Sequence, residues 1–177
     1  RFNCHLLLPR LATLTAASGV AGSFKIGAMG ELANELYVAF GTAVRKYDNI
    51  TDSWGTTLTT LPAVATDALN FVLGGVTYLA FAHTDGYTYT TDGVAWTNDT
   101  KDTKFLVFWD TRLWGIDNTG QLWRSTAIGV ETNDATLPLA SGSVKSLFAA
   151  RNAAGNIVIY AGTLVGPYQH DSTNAKF

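Results

Sequence analysis

Apolar positions along this chain fall in short runs interleaved with Thr, Asn, Asp and Gly, and no window sustains the spacing of an amphipathic helix. Brief alternation bounded by turn residues is the pattern of strands, because successive side chains of an extended chain point to opposite faces. One such run recurs four times: Leu36-Tyr37-Val38-Ala39-Phe40, Thr77-Tyr78-Leu79-Ala80-Phe81, Leu113-Trp114-Gly115-Ile116 and Ile159-Tyr160-Ala161-Gly162. A second aromatic follows each after a short interval: Tyr47, Tyr89, Trp123 and Tyr168. A repeat of about forty residues in an all-β pattern is what stacked or radially arranged four-stranded units produce.

Four units follow from this spacing, at about 23–60, 61–100, 101–140 and 141–177, preceded by a segment at 1–22. Strands are predicted at 24–27, 35–40, 43–48 and 54–58 in the first unit, and at 68–73, 77–82, 87–91 and 95–97 in the second. The third has 104–109, 112–117 and 121–125, then a looser stretch to Leu139. The fourth has 144–150, 157–162 and 166–170. Gly74-Gly75 marks a tight hairpin, since both positions tolerate positive φ. Asp85-Gly86, Asn118-Thr119-Gly120 and Gly155-Asn156 mark further turns. The stretch 28–36 contains helix formers, but Gly27 and Gly30 interrupt it, so a hairpin loop is expected there. Small residues in the second strand of each unit (Ala39, Ala80, Ala82, Gly115, Ala161, Gly162) suit a crowded inner position, and Trp54 and Trp96 suit a wider outer gap. The segment 3–15 is expected to be a strand that packs on the fourth unit or on a neighbouring chain, covering an open edge and closing a ring.

Units of this length and pattern resemble the blades of β-propeller proteins, over about 23–177. Thr90-Thr91-Asp92-Gly93-Val94-Ala95-Trp96 resembles the Asp-box turn of sialidase-like propellers, with one position fewer between Asp92 and the aromatic. The other units keep only the aromatic landmarks. The resemblance implies an all-β β-propeller of four-stranded antiparallel blades, about four in this chain, as a complete small ring or an arc of a larger one. It also implies that Asp92 caps its own hairpin and that Trp96 packs between sheets. Tyr37, Tyr78, Trp114 and Tyr160 then read as packing between blades.

Charge narrows the partners. Twelve Lys and Arg stand against 14 Asp and Glu, and the six arginines are scattered singly, so nucleic acid is not an expected partner. The single cysteine, Cys4, excludes an intrachain disulfide and reads as a small buried hydrophobe. No run approaches the ~20 apolar residues of a membrane helix, and the apolar stretch 6–21 is broken by Pro9 and Arg10. The chain begins at Arg1 without Met and reads as a mature or excised portion of a longer polypeptide.

Candidate chemistry is sparse. A sialidase-type site needs converging arginines, a nucleophile and an acid–base carboxylate. Arg112, Arg124 and Arg151 form no motif, and Asp110 and Asp117 read as turn residues at strand ends. His5, His83 and His170 lack zinc-site spacing, and His83 and His170 read as solvated loop or strand-end residues. The stretch 48–52 carries oxygen ligands without the Gly and Glu of a calcium loop. Phe105, Phe108, Trp109, Trp114 and Trp123 read as core aromatics, with Trp109 at a hairpin tip. Asn49-Ile50-Thr51 and Asn98-Asp99-Thr100 match the glycosylation pattern. The sequence therefore names no catalytic residue, no metal ligand, no cofactor and no ligand-binding residue. It points to a non-enzymatic propeller scaffold for binding or assembly, extracellular or in a phage or virus particle. Its partners would be protein subunits or further parts of the same polypeptide, and glycans. The alternative is a fragment of a carbohydrate-active propeller, a lectin or an Asp-box glycoside hydrolase. Contacts to any ligand should come from loops that differ between units.

Overall fold

Hairpin follows hairpin along the chain, so that every strand pairs with its sequence neighbour. The computed structural model describes residues 26–140, 142–171, 174, 176 and 177; the strand expected at 3–15, with Cys4 and His5, lies outside them. The first sheet is β1 (Ile26–Leu32), β2 (Glu35–Phe40), β3 (Ala43–Asp48) and β4 (Ser53–Thr60), in that order. The second is β5 (Ala65–Leu73), β6 (Val76–His83), β7 (Gly86–Thr90) and β8 (Thr97–Asp99). The third is β9 (Phe105–Trp109), β10 (Arg112–Ile116), β11 (Gln121–Ser125) and β12 (Thr132–Thr136). The fourth has three strands, β13 (Val144–Arg151), β14 (Ile157–Thr163) and β15 (Gly166–Gln169). All pairings are antiparallel. The fold is thus all-β, built of successive antiparallel sheets of about four strands.

The sheets stack through their first strands: β1 packs on β5, β5 on β9, and β9 on β13. Alternation then assigns each face. Tyr37 and Ala39 of the first sheet meet Leu79 and Phe81 of the second. Ala80, Ala82 and Tyr87 of the second meet Leu106, Leu113 and Trp123 of the third. Trp114, Ile116 and Leu122 of the third meet Leu147, Ile159 and Ala161 of the fourth. Polar links reinforce these contacts. Asp67 on β5 accepts from the amide of Leu106 on β9 at 2.9 Å, and Thr66 donates to the carbonyl of Lys104 at 2.6 Å. Tyr160, in the position equivalent to Tyr37, Tyr78 and Trp114, lies on the face turned away from the third sheet. There it stacks on Phe148 with ring centroids 5.5 Å apart, so it does not pack between described sheets.

Several expectations need correction. The stretch 28–36 is mostly strand, with its turn confined to Ala33 and Asn34 at φ 52 and 64. No helix forms there, and Gly30 has a further role: a Cβ at that position would stand 2.3 Å from Leu79 Cδ1, so its absence is what lets β1 close on the second sheet. The last strand of the second sheet starts at Thr97, beyond Trp96, because the turn is longer than expected. In that turn Asp92 Oδ1 accepts from the amides of Val94 (2.8 Å) and Ala95 (2.9 Å), while the Trp96 ring sits against Tyr37 and Phe81. The looser stretch of the third unit contains β12. His83 is fully buried rather than solvated. Its Nε2 lies 3.0 Å from Thr88 Oγ1, whose hydroxyl donates to Asn98 Oδ1. His83 must therefore donate from Nε2, which leaves an unprotonated Nδ1 facing the core.

Candidate functional site

The core between the third and fourth sheets is apolar except at the end where β9 turns into β10. Alternation along β10 puts Arg112 and Trp114 on the face toward the fourth sheet, and Trp114 pairs with Arg124 across the ladder to β11. The Arg124 guanidinium consequently lies over the Trp114 ring, 5.8 Å from its centroid. In β12 the ladder carries one extra residue: Leu122 pairs with Ala135 and Trp123 with Asn133, leaving Asp134 between them. A bulge re-aims a side chain. Here it turns the Asp134 carboxylate inward, with 4% of the side chain exposed, 3.4 Å from Arg124 Nη2. The other carboxylate oxygen lies 2.7 Å from His170 Nε2, just past the end of β15. That contact is close but off the line of a hydrogen bond, since neither atom has an aligned partner.

His170 is thus no solvated strand end; it is 4% exposed, edge-on to Trp114 and Phe177. Burial pushes its pKa below the usual histidine value, outweighing the pull of Asp134. His83 is lowered for the same leading reason. Both rings are therefore neutral in the fold at neutral pH, and unfolding takes up protons once the pH drops below the ordinary histidine value of about 6.5. Stability that is complete above that value is lost as pH falls toward the depressed folded-state values. Thermal midpoints are expected to fall between about pH 7.5 and about pH 5. His83→Gln and His170→Gln should each flatten that dependence, and a midpoint that rises on acidification would contradict it.

Beside this buried group the cleft opens. A cavity of about 160 Å³ is walled by Trp109, Trp114, Ile157 and Ile159, with Asp110, Arg112 and Arg124 at its polar side. A second cavity of about 260 Å³ continues past the same two arginines to Thr126, Val130 and Thr132. Trp109 is fixed in part by its own carbonyl, which accepts from Trp114 Nε1 at 3.2 Å. The adjoining turn, Asp110 and Thr111, holds both residues at positive φ (51 and 58). That conformation is costly for β-branched threonine, so strain is concentrated at the rim of the cleft.

Of the arginines noted in the sequence, the fold brings Arg112 and Arg124 together, while Arg151 donates to the carbonyl of Gly155 at 2.7 Å. Asp110 and Asp117 flank opposite ends of β10, so they form no carboxylate pair. Asp117 instead accepts from the amides of Thr119 and Gln121 in its own turn. Asp48 does the same for Ile50 and Thr51. Among the described residues Asp110 is the one carboxylate lining either cavity, and no group of three His, Cys, Asp or Glu is placed to hold a metal ion. Asp134 is not distinguishable in the sequence, where it falls in the looser stretch that runs to Leu139; only the register reveals it.

No protein-family model matches the chain, and no curated protein matches it. Among solved structures it is similar to the extracellular domain of a hybrid two-component system of B. thetaiotaomicron, with a TM-score of 0.65 and 14% identity over 90% of this chain. A second structure of the extracellular domain of that same protein, there described as a one-component system, matches with a TM-score of 0.62 and 15% identity over 91% of this chain. The chain spans 22% of the length of each. The computationally designed protein Ika4 matches with a TM-score of 0.56 and 12% identity, over 86% of this chain and 95% of that one. At these identities the likeness is one of fold.

Proposed function

We propose that this chain is a non-catalytic sugar-binding part of an extracellular β-propeller, with its site in the cleft between the third and fourth sheets. The carrying observation is the cleft itself: a tryptophan-lined cavity with two arginines at its mouth and no facing pair of carboxylates. Aromatic walls with a few oriented polar groups are the usual make-up of a small-molecule site. Hydrolysis of a glycosidic bond usually needs two carboxylates across the bond, and the sialidase route replaces one of them with a tyrosine nucleophile; no tyrosine lines either cavity, and the second nearby carboxylate, Asp134, is buried under Arg124 and His170. A propeller arrangement is supported by the meander sheets stacked through their first strands and by the Asp92 turn with Trp96 inserted between sheets. An extracellular setting is supported by the fold shared with that one extracellular domain. The particle-scaffold reading rests on composition alone. Glycan-array binding with wild type and Trp109→Ala, alongside a hydrolysis screen, tests the proposal. The expected result is binding without turnover, weakened at least about tenfold, or ~1.4 kcal/mol, in the variant. Turnover, or undiminished binding by Trp109→Ala, would overturn it.

A further inference from the structure

The two cavities differ in chemistry on either side of the shared arginines. On one side are indole rings and branched aliphatic side chains, with Asp110 at the edge. On the other are Thr126, Val130 and Thr132, and no carboxylate. The hydroxyl of Ser125, beneath this second side, is already committed to the carbonyls of Ala127 and Val130. Thr126 and Thr132 are exposed. Arg112 has no ion-pair partner among the described residues, and Arg124 has only Asp134, which is shared with His170.

Resting on the sugar-binding reading, we infer that the ligand is an acidic sugar, bearing a carboxylate or a sulfate group. Its oxyanion sits on Arg112 and Arg124 beside the hydroxyls of Thr126 and Thr132, and its ring lies against Trp109. Guanidinium groups are the side chains best matched to such oxyanions, because their planar N–H pairs meet two oxygens at once. Arg124 is pre-organised for the task. Asp134 takes one side of its guanidinium and the Trp114 ring supports its face, which leaves its remaining N–H groups for the cleft. A neutral sugar would leave the Arg112 charge facing only solvent. Asp110, on the aromatic side, accepts hydroxyl hydrogens and is separated from the anionic group by the arginines.

The experiment is calorimetric titration of the whole chain with three oligosaccharides of matched backbone and length: neutral, uronic-acid and sulfated. Wild type, Arg112→Gln and Trp109→Ala are compared. The expected result is that wild type binds at least one acidic probe about tenfold or more tightly than the neutral one, with the preference weakening as salt is added. A stronger response to uronate identifies a carboxylate seat, and a stronger response to sulfate a sulfate seat; either supports the inference. In Arg112→Gln the ratio of acidic to neutral affinity should fall close to one. Equal wild-type affinity for neutral and acidic probes, or a preference that survives in Arg112→Gln, overturns the acidic assignment while leaving a sugar site in place. Trp109→Ala without effect on any probe, or no binding of any probe, overturns the site itself.

Discussion

Replacing Trp123 by alanine is expected to cost about 3–5 kcal/mol, the range for a large aromatic removed from a packed core. The ring is fully buried between the second and third sheets and stacks on Tyr87 with centroids 5.7 Å apart. Its Nε1 also donates to the carbonyl of Asp102. The fit is tight on the β10 side as well: a Cβ on Gly115 would stand 2.1 Å from Trp123 Cζ2. Gly115→Ala should therefore destabilise by about 1–3 kcal/mol through overpacking. The two effects share one space, so the double substitution should be less harmful than the sum of the singles. Denaturant unfolding of the four proteins measures this directly. Additive losses would mean that glycine at 115 answers to something other than the indole.

Asp134→Ala should damage the interface between the third and fourth sheets by about 3 kcal/mol. Removing one partner from a buried ion pair leaves the other without compensation: Arg124 loses its carboxylate, and the neutral His170 ring loses its nearest polar neighbour. The figure sits at the lower end of the range because the Arg124 side chain is 38% exposed and can turn to water. Asp134→Asn keeps the shape and should cost less. Both substitutions release Arg124 from its fixed orientation, so they should weaken binding of an acidic sugar although Asp134 lines neither cavity. Urea unfolding together with calorimetric binding separates the two effects. A loss of stability with unchanged affinity would show that Arg124 does not depend on this clamp.

Much of the fold was legible because strands announce themselves by alternation and by turn residues. β11 occupies Gln121–Ser125 as expected, and the Gly74-Gly75 turn adopts positive φ at both positions. Misreadings arose where tertiary packing overrode the local pattern. Gly30 reads in the sequence only as an interruption of a helix, and its role at the closest approach between two sheets depends on the facing Leu79. The strand β12 falls in a stretch that reads only as looser because its residues are polar, yet it completes the third sheet. Arg112, Arg124, Trp109 and Trp114 were each visible in the sequence, but nothing local joins them. Their convergence depends on the β10–β11 register and on the facing fourth sheet. Asp134 depends on a one-residue bulge, and the burial of His170 on where β15 ends; neither has a sequence signature.

If the cleft between the third and fourth sheets binds the ligand, the tryptophan side chains report on it separately. The chain has five (Trp54, Trp96, Trp109, Trp114 and Trp123), hence five indole N–H resonances in a nitrogen–proton correlation spectrum. Titrating an acidic oligosaccharide that binds should shift the Trp109 and Trp114 signals in proportion to saturation. Trp54, on the first sheet, and Trp96 and Trp123, enclosed in the other interfaces, should stay in place. Shifts confined to Trp54 or Trp96, with Trp109 and Trp114 unmoved at saturation, would place the ligand elsewhere and rule out this cleft as its site.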